Sequence, residues 1–494
     1  MTVTTPRRCV QYPPSLTQTW VVECSDHHST PVRHLRHPTH APGPGPGSPN
    51  TYARDARIAE LTALLEESRR AGKRQAAPFS KRAPKENPAR PGRKPGKGHG
   101  RHGHRMVPGK VDRDLDALLP GACPGCGGEL VEDDEPAFQF QTELPEPRPV
   151  VTRFRVHRGH CRACGRRVQG RHLEQTSDAL GAASSQVGPR AKGWAIVLHY
   201  SMGLSFGRTA QVLSLLGGIE VTRGAICQAS RSAGVDLGPT HEAIKSTLAG
   251  QASVTMDETR WRMGGWGAWL WVAASEEVTV YDVAWGRGFA EATNLLPANY
   301  QGVLVRDGWA AYHRYEQAEH QTCLAHFGRR AHEMEQDNPE EVKETPRIVS
   351  LLLKKALDTR DLPAAKRKSA VKELSELVEV LGETPQPYDP NRRLVNHLVA
   401  EHHRGALLTF LSHPGVDATN WKGETGVRPA VVNRKVWGGN RTEDGAVIQG
   451  RIMTFLRTAT QQGADAIELL VNLARAPVPA VVTGLRLGTP QRGP

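Results

Sequence analysis

The sequence predicts an α/β protein in which a sheet is bordered by helical segments. Short runs rich in Val, Trp and Tyr between residues 251 and 326 predict the strands. Apolar residues at helical spacing on either side predict the helices. The length of 494 residues leaves room for several domains. No run of about 18 apolar residues is present, so a membrane-spanning or secreted chain is not expected and the cytoplasm is the predicted location.

Two segments open the chain. Residues 1–50 have no periodic pattern and are predicted to be a disordered leader. Residues 51–70 place Ile58, Leu61 and Leu65 at helical spacing and predict a short coiled-coil helix. An amphipathic helix packed on its own chain fits equally well, because fewer than three heptads are present.

The positive charge is concentrated in the segment that follows. The net charge is +13, and residues 69–105 hold thirteen Lys or Arg against one acid, Glu86. Pro and Gly disfavour a packed core here, and spaced cations suit phosphates. Residues 71–110 are therefore predicted to be a basic disordered linker that contacts nucleic acid; a solvated linker is the alternative. Its predicted DNA-binding residues are Lys73, Arg74, Lys81, Arg82, Arg93 and Lys94.

Two CxxC pairs predict a zinc ribbon at residues 111–175. The pairs are formed by Cys123, Cys126, Cys161 and Cys164. Four thiolates in this arrangement suit a tetrahedral Zn²⁺, and alternating runs between the pairs predict strands. Disulfides are the competing interpretation, which a reducing cytosol disfavours. His157 and His160 are candidate substitute ligands.

Residues 185–248 are predicted to be helical and to have the outline of a helix-turn-helix. Thr222 is the predicted N-cap of a second helix that carries Arg223 and Arg231. Such a helix suits the major groove of DNA, and Arg223 is a predicted DNA contact. Many helical hairpins share this outline, so a purely structural role is the alternative.

The central segment, residues 250–326, predicts three strands, a helix, a strand, a helix and a strand. In a ribonuclease H-like sheet, the first and fourth strands are neighbours. Asp257 and Asp307 are predicted to end these strands, so both carboxylates would share one edge. Two close carboxylates repel unless a cation lies between them, and hard oxygen ligands suit Mg²⁺ or Mn²⁺. The pattern therefore predicts metal-dependent phosphoryl transfer.

A helical insertion interrupts this predicted core. Residues 327–412 show helical periodicity, the core would resume at residues 413–450, and a C-terminal helix and tail would follow at residues 451–494.

The resumed core contains the predicted third acid, Glu424, at the start of a helix. Arg428 and Lys435 follow it and are predicted to contact DNA. Glu443 or Asp444 is the alternative third ligand.

These motifs resemble those of the insertion-sequence-66 family of transposases, over roughly residues 55–480. The resemblance rests on the two CxxC pairs, MDETRW, VRDGWAAY, CLAHFGRR and the closing helix GRIMTFLRTATQQGADAIELL. It implies a DDE core in which Mg²⁺ or Mn²⁺ is held by Asp257, Asp307 and Glu424. It also implies cleavage of element ends and strand transfer into target DNA at the nucleoid, by a homo-oligomer with helper proteins from the same element.

The third motif departs from the family pattern. The family usually has two adjacent Asn before the Glu and an Arg directly after it, whereas here Asn420 precedes Trp421 and Thr425 follows Glu424. A decayed copy that binds DNA without cutting it is therefore the alternative function. A zinc-dependent regulator unrelated to transposition is a third hypothesis.

Overall fold

The computed structural model describes residues 105–488. The predicted leader, the predicted coiled-coil helix and most of the basic linker lie outside the described residues. The same holds for the predicted contacts of the linker, which are Lys73, Arg74, Lys81, Arg82, Arg93 and Lys94. Two units are distinguished, Met1–Gln141 and Thr142–Pro494.

The described part of the first unit, residues 105–141, contains no helix or strand. Its main ordered feature is a tight turn at the first CxxC pair. The N–H of Cys123 donates to the carbonyl of Gly128 (2.9 Å), and the N–H of Gly127 donates to the carbonyl of Cys123 (2.8 Å). The predicted strand in FQFQTELP is wrong, because its apolar side chains remain exposed and have no layer to pack against.

The second unit begins with a small hairpin that carries the other CxxC pair. Strands β1 (Arg158–His160) and β2 (Arg167–Gln169) pair antiparallel, with the cysteine turn between them. The turn repeats the first pattern, since the N–H of Cys161 donates to the carbonyl of Arg166 and that of Gly165 donates to Cys161. Of the predicted strand VVTRFRVHRGH, only the last three residues form a strand.

Four helices follow, separated by short turns. They are α1 (Pro189–Ile196), α2 (Phe206–Gly217), α3 (Arg223–Asp236) and α4 (Gly238–Ala249). A π-helical turn, Val197–Ser201, continues α1. Ser205 caps α2 and Thr222 caps α3, each through a side-chain oxygen that accepts a backbone N–H. Gly218 ends α2 with a φ of 61°, a conformation that glycine adopts without strain.

The sheet has five strands in the order β5-β4-β3-β6-β7. Their bounds are β3 (Ser253–Met263), β4 (Trp266–Ala274), β5 (Thr279–Ala284), β6 (Val303–Arg306) and β7 (Glu319–Thr322). Strand β4 pairs antiparallel with both β3 and β5, whereas β6 pairs parallel with both β3 and β7. Helix α5 (Phe289–Thr293) precedes β6, and a 3₁₀ turn (Ala310–Arg314) precedes β7. This mixed α/β architecture is compatible with the predicted ribonuclease H-like core.

The prediction that Asp257 ends its strand is wrong. Strand β3 continues to Met263, because its pairing with β4 runs to Trp266 across a turn at Gly264 and Gly265. Pairing between β3 and β6, in contrast, stops at Thr255. Asp257 therefore lies just beyond the point where β6 leaves β3, which opens one side of the strand.

Most of the remaining chain is helical. The helices are α6 (Leu324–Asp337), α7 (Glu344–Thr359), α8 (Ala364–Glu383), α9 (Asp389–His403), α10 (Trp421–Trp437), α11 (Glu443–Gln461) and α12 (Ala466–Arg475). Helices α6 to α9 share a core with Val303 and Val305 of β6. Helix α11 crosses the boundary predicted at residues 450 and 451. Among residues 105–488, no helix has the length and apolar character needed to cross a membrane.

Helix α11 covers the edge of the sheet. The side-chain oxygens of Thr454 and Thr458 accept the backbone N–H groups of Tyr281 (2.9 Å) and Thr279 (3.2 Å) on β5. Threonine hydroxyls therefore accept hydrogen bonds from backbone N–H groups at the outer edge of β5, where no further strand pairs with it in the described sheet.

A buried histidine joins the helical region to the end of α10. The ring of His199 stacks on Phe206 (3.9 Å between centroids) and on Trp437 (4.7 Å), and its Nδ1 lies 2.6 Å from the carbonyl oxygen of Leu204. Burial lowers the pKa of His199 to about 4. The native fold therefore requires the neutral imidazole.

We expect this histidine to make the fold sensitive to acid. A histidine in the unfolded chain has a pKa near 6.5, whereas His199 in the folded protein has a pKa of about 4. The stabilisation from neutral His199 is therefore complete above pH 6.5 and is lost as the pH falls toward 4. At pH 5 the free energy of unfolding should be lower by about 2 kcal/mol. His199→Gln should therefore reduce the loss of unfolding free energy between pH 7.5 and pH 5. Urea unfolding at both pH values measures this, with His403→Gln at an exposed site as the control. An equal pH dependence in wild type and His199→Gln would contradict the expectation.

Candidate active site

Asp257 lies on β3 where helix α10 crosses the sheet. Its Oδ1 accepts the backbone N–H of Glu258 (2.9 Å). Gly423 of α10 lies directly above it, because a Cβ added at Gly423 would come within 2.9 Å of the Asp257 Cβ. One turn later, a Cβ at Gly426 would lie 3.0 Å from Val272. The two glycines therefore allow the helix backbone to approach the sheet closely.

Asp307 directly follows β6 and lies half-buried in the turn that leaves the sheet. Its Oδ1 accepts the backbone N–H of Trp309 (2.8 Å), which fixes the carboxylate at the mouth of the turn. The neighbouring residue, Gly308, packs against the ring of His397 on α9. Helix α9 thus contacts the turn that carries Asp307.

Glu424 occupies the first turn of α10, next to the glycine that contacts β3. Its side chain is about half-exposed, and its Oε1 lies 3.5 Å from an Nη of Arg329 on α6. Both side chains are open to water, so this ion pair contributes little to stability. It does place a guanidinium beside the third acid.

The charges of the other acids act on Asp257. Burial, together with the negative charges of Glu258, Asp307 and Glu424, raises the pKa of Asp257 to about 8. Residues from β3, from the end of β6 and from the start of α10 are thus close enough for electrostatic coupling. A site with this excess of carboxylates attracts a cation.

The described part of the chain contains no group of three His, Cys, Asp or Glu side chains arranged to hold a metal ion. The three acids therefore form a charge cluster and not a finished coordination shell. Their chemistry still fits a hard divalent cation, since carboxylate oxygens are the ligands that Mg²⁺ and Mn²⁺ prefer. Burial is the main cause of the raised pKa of Asp257, and repulsion by the neighbouring carboxylates adds to it; a bound cation would offset both effects.

Each CxxC turn by itself favours thiolates. Backbone N–H groups of Gly125 and Cys126 lower the pKa of Cys123, and those of Cys164 and Ala163 lower the pKa of Cys161. The thiolate is the form that binds metals. Zinc binding by the four cysteines stays a prediction.

The predicted alternatives for the third acid are engaged elsewhere. The Oε1 of Glu443 accepts the indole N–H of Trp285 (2.9 Å), and Asp444 forms an ion pair with Arg231 (3.3 Å). Of the three candidates, Glu424 is the one whose charge contributes to the raised pKa of Asp257.

The predicted DNA contacts in the described residues lie on two helices. Arg428 and Lys435 are exposed on α10, four and eleven residues after Glu424, and this spacing puts all three on one helical face. Arg223 is exposed at the first position of α3.

Sequence reasoning missed three residues at the site. Arg329 lies within CLAHFGRR, but its pairing with Glu424 depends on how α6 and α10 pack. Gly423 has no sequence signal beyond its place beside the acid. Asn420 is fully buried, and its backbone N–H donates to the Cys323 sulfur (3.1 Å). Its side-chain atoms have no hydrogen-bond partner among residues 105–488.

Comparison with known proteins adds a family match. A family model described as "Transposase IS66 family" matches residues 184–448, just over half of the chain. The matched segment contains Asp257, Asp307 and Glu424 and begins after both CxxC pairs. No curated protein matches the chain.

The approach of α10 to β3 predicts a strict requirement at Gly423. Gly423→Ala places a methyl group against the side chains of Asn420 and Asp257 and should reduce the free energy of unfolding by about 1–3 kcal/mol. Gly328→Ala is the matched control, because that helical glycine has its nearest neighbour at 3.9 Å and alanine there should stabilise the protein by about 0.5–1 kcal/mol. Urea unfolding measures both changes. Similar values for the two variants would mean that α10 does not depend on this contact.

Proposed function

The chain belongs to the IS66 family of transposases, and on that premise we propose that it cuts and joins DNA at the ends of its own insertion sequence. The observation that carries the proposal is the packing of Gly423, which directly precedes Glu424, against Asp257 on β3, while Asp307 follows β6, the strand that pairs with β3. All three acids lie in the matched segment. The strand order supports a ribonuclease H-like core of the DDE type.

Asp257, Asp307 and Glu424 are the proposed ligands of Mg²⁺ or Mn²⁺. When bound, such cations stabilise the negative charge that develops on a phosphodiester under attack and lower the pKa of an attacking water. The protein's own part is to hold the carboxylates in place. The backbone N–H groups of Glu258 and Trp309 orient Asp257 and Asp307. Arg329 balances the charge of Glu424.

The proposed reaction requires no covalent bond to the protein. Water attacks a phosphodiester at the end of the element, the bond from phosphorus to the 3′ oxygen breaks, and a 3′-hydroxyl is released. The oxygen of that hydroxyl then attacks a phosphorus of the target DNA and forms a new phosphodiester bond. The target's own bond from that phosphorus to its 3′ oxygen breaks, and a 3′-hydroxyl of the target, which takes up the proton, is released. Both steps use the same site.

DNA would reach this site along the outer face of α10. Arg428 and Lys435 continue the face of Glu424 and provide cations for backbone phosphates. Arg223 on α3, the linker cations and a zinc ribbon held by the four cysteines complete the proposed DNA-binding parts. Assembly into a homo-oligomer on DNA, helper proteins and action at the nucleoid in the cytoplasm also belong to the proposal.

A copy that binds DNA without cutting it is the second candidate. It is favoured by Trp421 and Thr425, which stand where the family usually has Asn and Arg. The position of Arg329 weighs against it, since this residue supplies a guanidinium at Glu424 in spite of Thr425.

Loss of any one acid should abolish cleavage. Asp257→Asn, Asp307→Asn and Glu424→Gln should each slow cleavage of a labelled element end by roughly a hundredfold or more, because each removes a charged ligand while end binding persists. A cleavage assay with Mg²⁺ and a gel-shift assay on the same DNA measure the two properties.

Glu443→Gln is the control and should cut normally. An inactive Glu443→Gln with an active Glu424→Gln would move the third ligand to Glu443. Wild-type protein that binds ends and cuts none would favour the decayed copy.

The basic face of α10 predicts a change in salt dependence. Arg428→Ala and Lys435→Ala should each weaken DNA binding and lower the slope of log affinity against log salt by about one. Fluorescence anisotropy across a salt series measures the slope. Lys372→Ala, at an exposed position on α8, should leave the slope unchanged. Unchanged slopes for both α10 variants would remove this helix from the DNA path.

A further inference from the structure

A continuous set of contacts joins the two strands that carry Asp257 and Asp307. It begins at Glu258, which neighbours Asp257 on β3 and points to the opposite face of the sheet. The Glu258 side chain is almost fully buried, and the Nε of Arg287 donates to its Oε1 (2.6 Å). The hydroxyl of Tyr312 donates to the other oxygen, Oε2. A buried carboxylate with two such partners is held in a single orientation.

Arg287 in turn makes cation–π contacts with two indole rings. Its guanidinium carbon lies 3.9 Å from the ring centroid of Trp309 and 4.8 Å from that of Trp269. Cations stack favourably on indole faces, and the planar guanidinium of arginine suits this geometry better than an ammonium group. The backbone carbonyl of Arg287 also accepts the indole N–H of Trp309 (3.0 Å). Arg287 therefore fixes Trp309 through both its side chain and its backbone.

Trp309 links Arg287 to Asp307, the second acid. Its backbone N–H donates to the Oδ1 of Asp307 (2.8 Å), so the residue that stacks on Arg287 also orients the Asp307 carboxylate. Tyr312, three residues further along the same turn, returns to Glu258. The turn after β6 is thus tied to β3 at two points, both of which converge on Glu258.

We propose that Arg287 is a positioning residue that sets the distance between the Asp257 and Asp307 carboxylates, through Glu258 on one side and Trp309 on the other. This inference rests on the proposed function, because the two carboxylates matter as a pair only if they bind cations together. Arg287 itself does not contact the carboxylate oxygens of either acid in the hydrogen bonds described, and it acts through its neighbours.

Two conservative variants test the positioning role. Arg287→Lys keeps the positive charge beside Glu258 and loses the planar stack and the fork of donors. Trp309→Phe keeps an aromatic ring over Arg287 and loses the indole N–H. We expect Arg287→Lys to raise the Mg²⁺ concentration for half-maximal cleavage by roughly tenfold or more, since residues that orient metal ligands typically affect metal affinity on this scale. Trp309→Phe should shift it in the same direction by less.

The two substitutions should also be coupled. If Arg287 acts through Trp309, the double variant should be little worse than Arg287→Lys alone. The rise in melting temperature on addition of Mn²⁺ without DNA provides a second readout and should be smaller in both single variants. Melting temperatures without metal report folding, and Trp266→Phe, at a 75% exposed indole, is the matched control.

The outcomes separate this inference from the function on which it rests. Metal-dependent cleavage by wild type, together with a wild-type metal requirement in both folded single variants, would overturn the positioning role alone. Cleavage by the single variants that falls only in proportion to their folded fraction, and that added metal does not restore, would also overturn the positioning role alone. Wild-type protein that neither cuts DNA nor gains stability from Mn²⁺ would overturn the proposed function and the positioning role together.

Discussion

The close packing of helix α10 on strand β3 is the contact on which the candidate site depends. Gly423, Gly426 and Ala430 form the face of α10 that lies against the sheet, and the hydroxyl of Tyr281 donates to the carbonyl of Gly426 (2.8 Å). Side chains larger than these would hold the helix away from the sheet. Because Glu424 follows Gly423, the depth of this packing sets the position of the third acid relative to Asp257.

The same contact brings negative charges close together, and neighbouring arginines balance part of that charge. Glu258, Asp307 and Glu424 lie close enough for their charges to act on Asp257, and burial raises the cost of keeping Asp257 and Glu258 charged. Arg287 balances Glu258 on one face of the sheet, and Arg329 approaches Glu424 on the other. Asp257 has no such cation among its described contacts. This imbalance is the physical basis for assigning a cation to the site.

Buried charges anchor helix α9 next to this site. Arg306, the last residue of β6, forms an ion pair with Glu401 of α9 (2.8 Å), and both side chains are fully buried. Arg404 contacts the same carboxylate (3.0 Å), while Arg306 also donates to the carbonyl of Asp307 (3.1 Å). Removing one member of such a group would leave an unpaired buried charge. These contacts therefore join helix α9 to the end of β6, directly before Asp307.

Local pattern was enough to predict the order of strands in the sheet and to select the candidate acids. The alternation in β3 to β6, the Thr222 cap and the motifs around Asp257 and Asp307 are properties of neighbouring residues, which the sequence displays directly. Strand ends were harder to predict, because β3 extends past Asp257 only through its pairing with β4. The contacts of Arg329, Gly423 and Arg287 depend on the packing of elements far apart in the chain. No periodicity encodes such distances, so only the tertiary structure decided which side chains surround the acids.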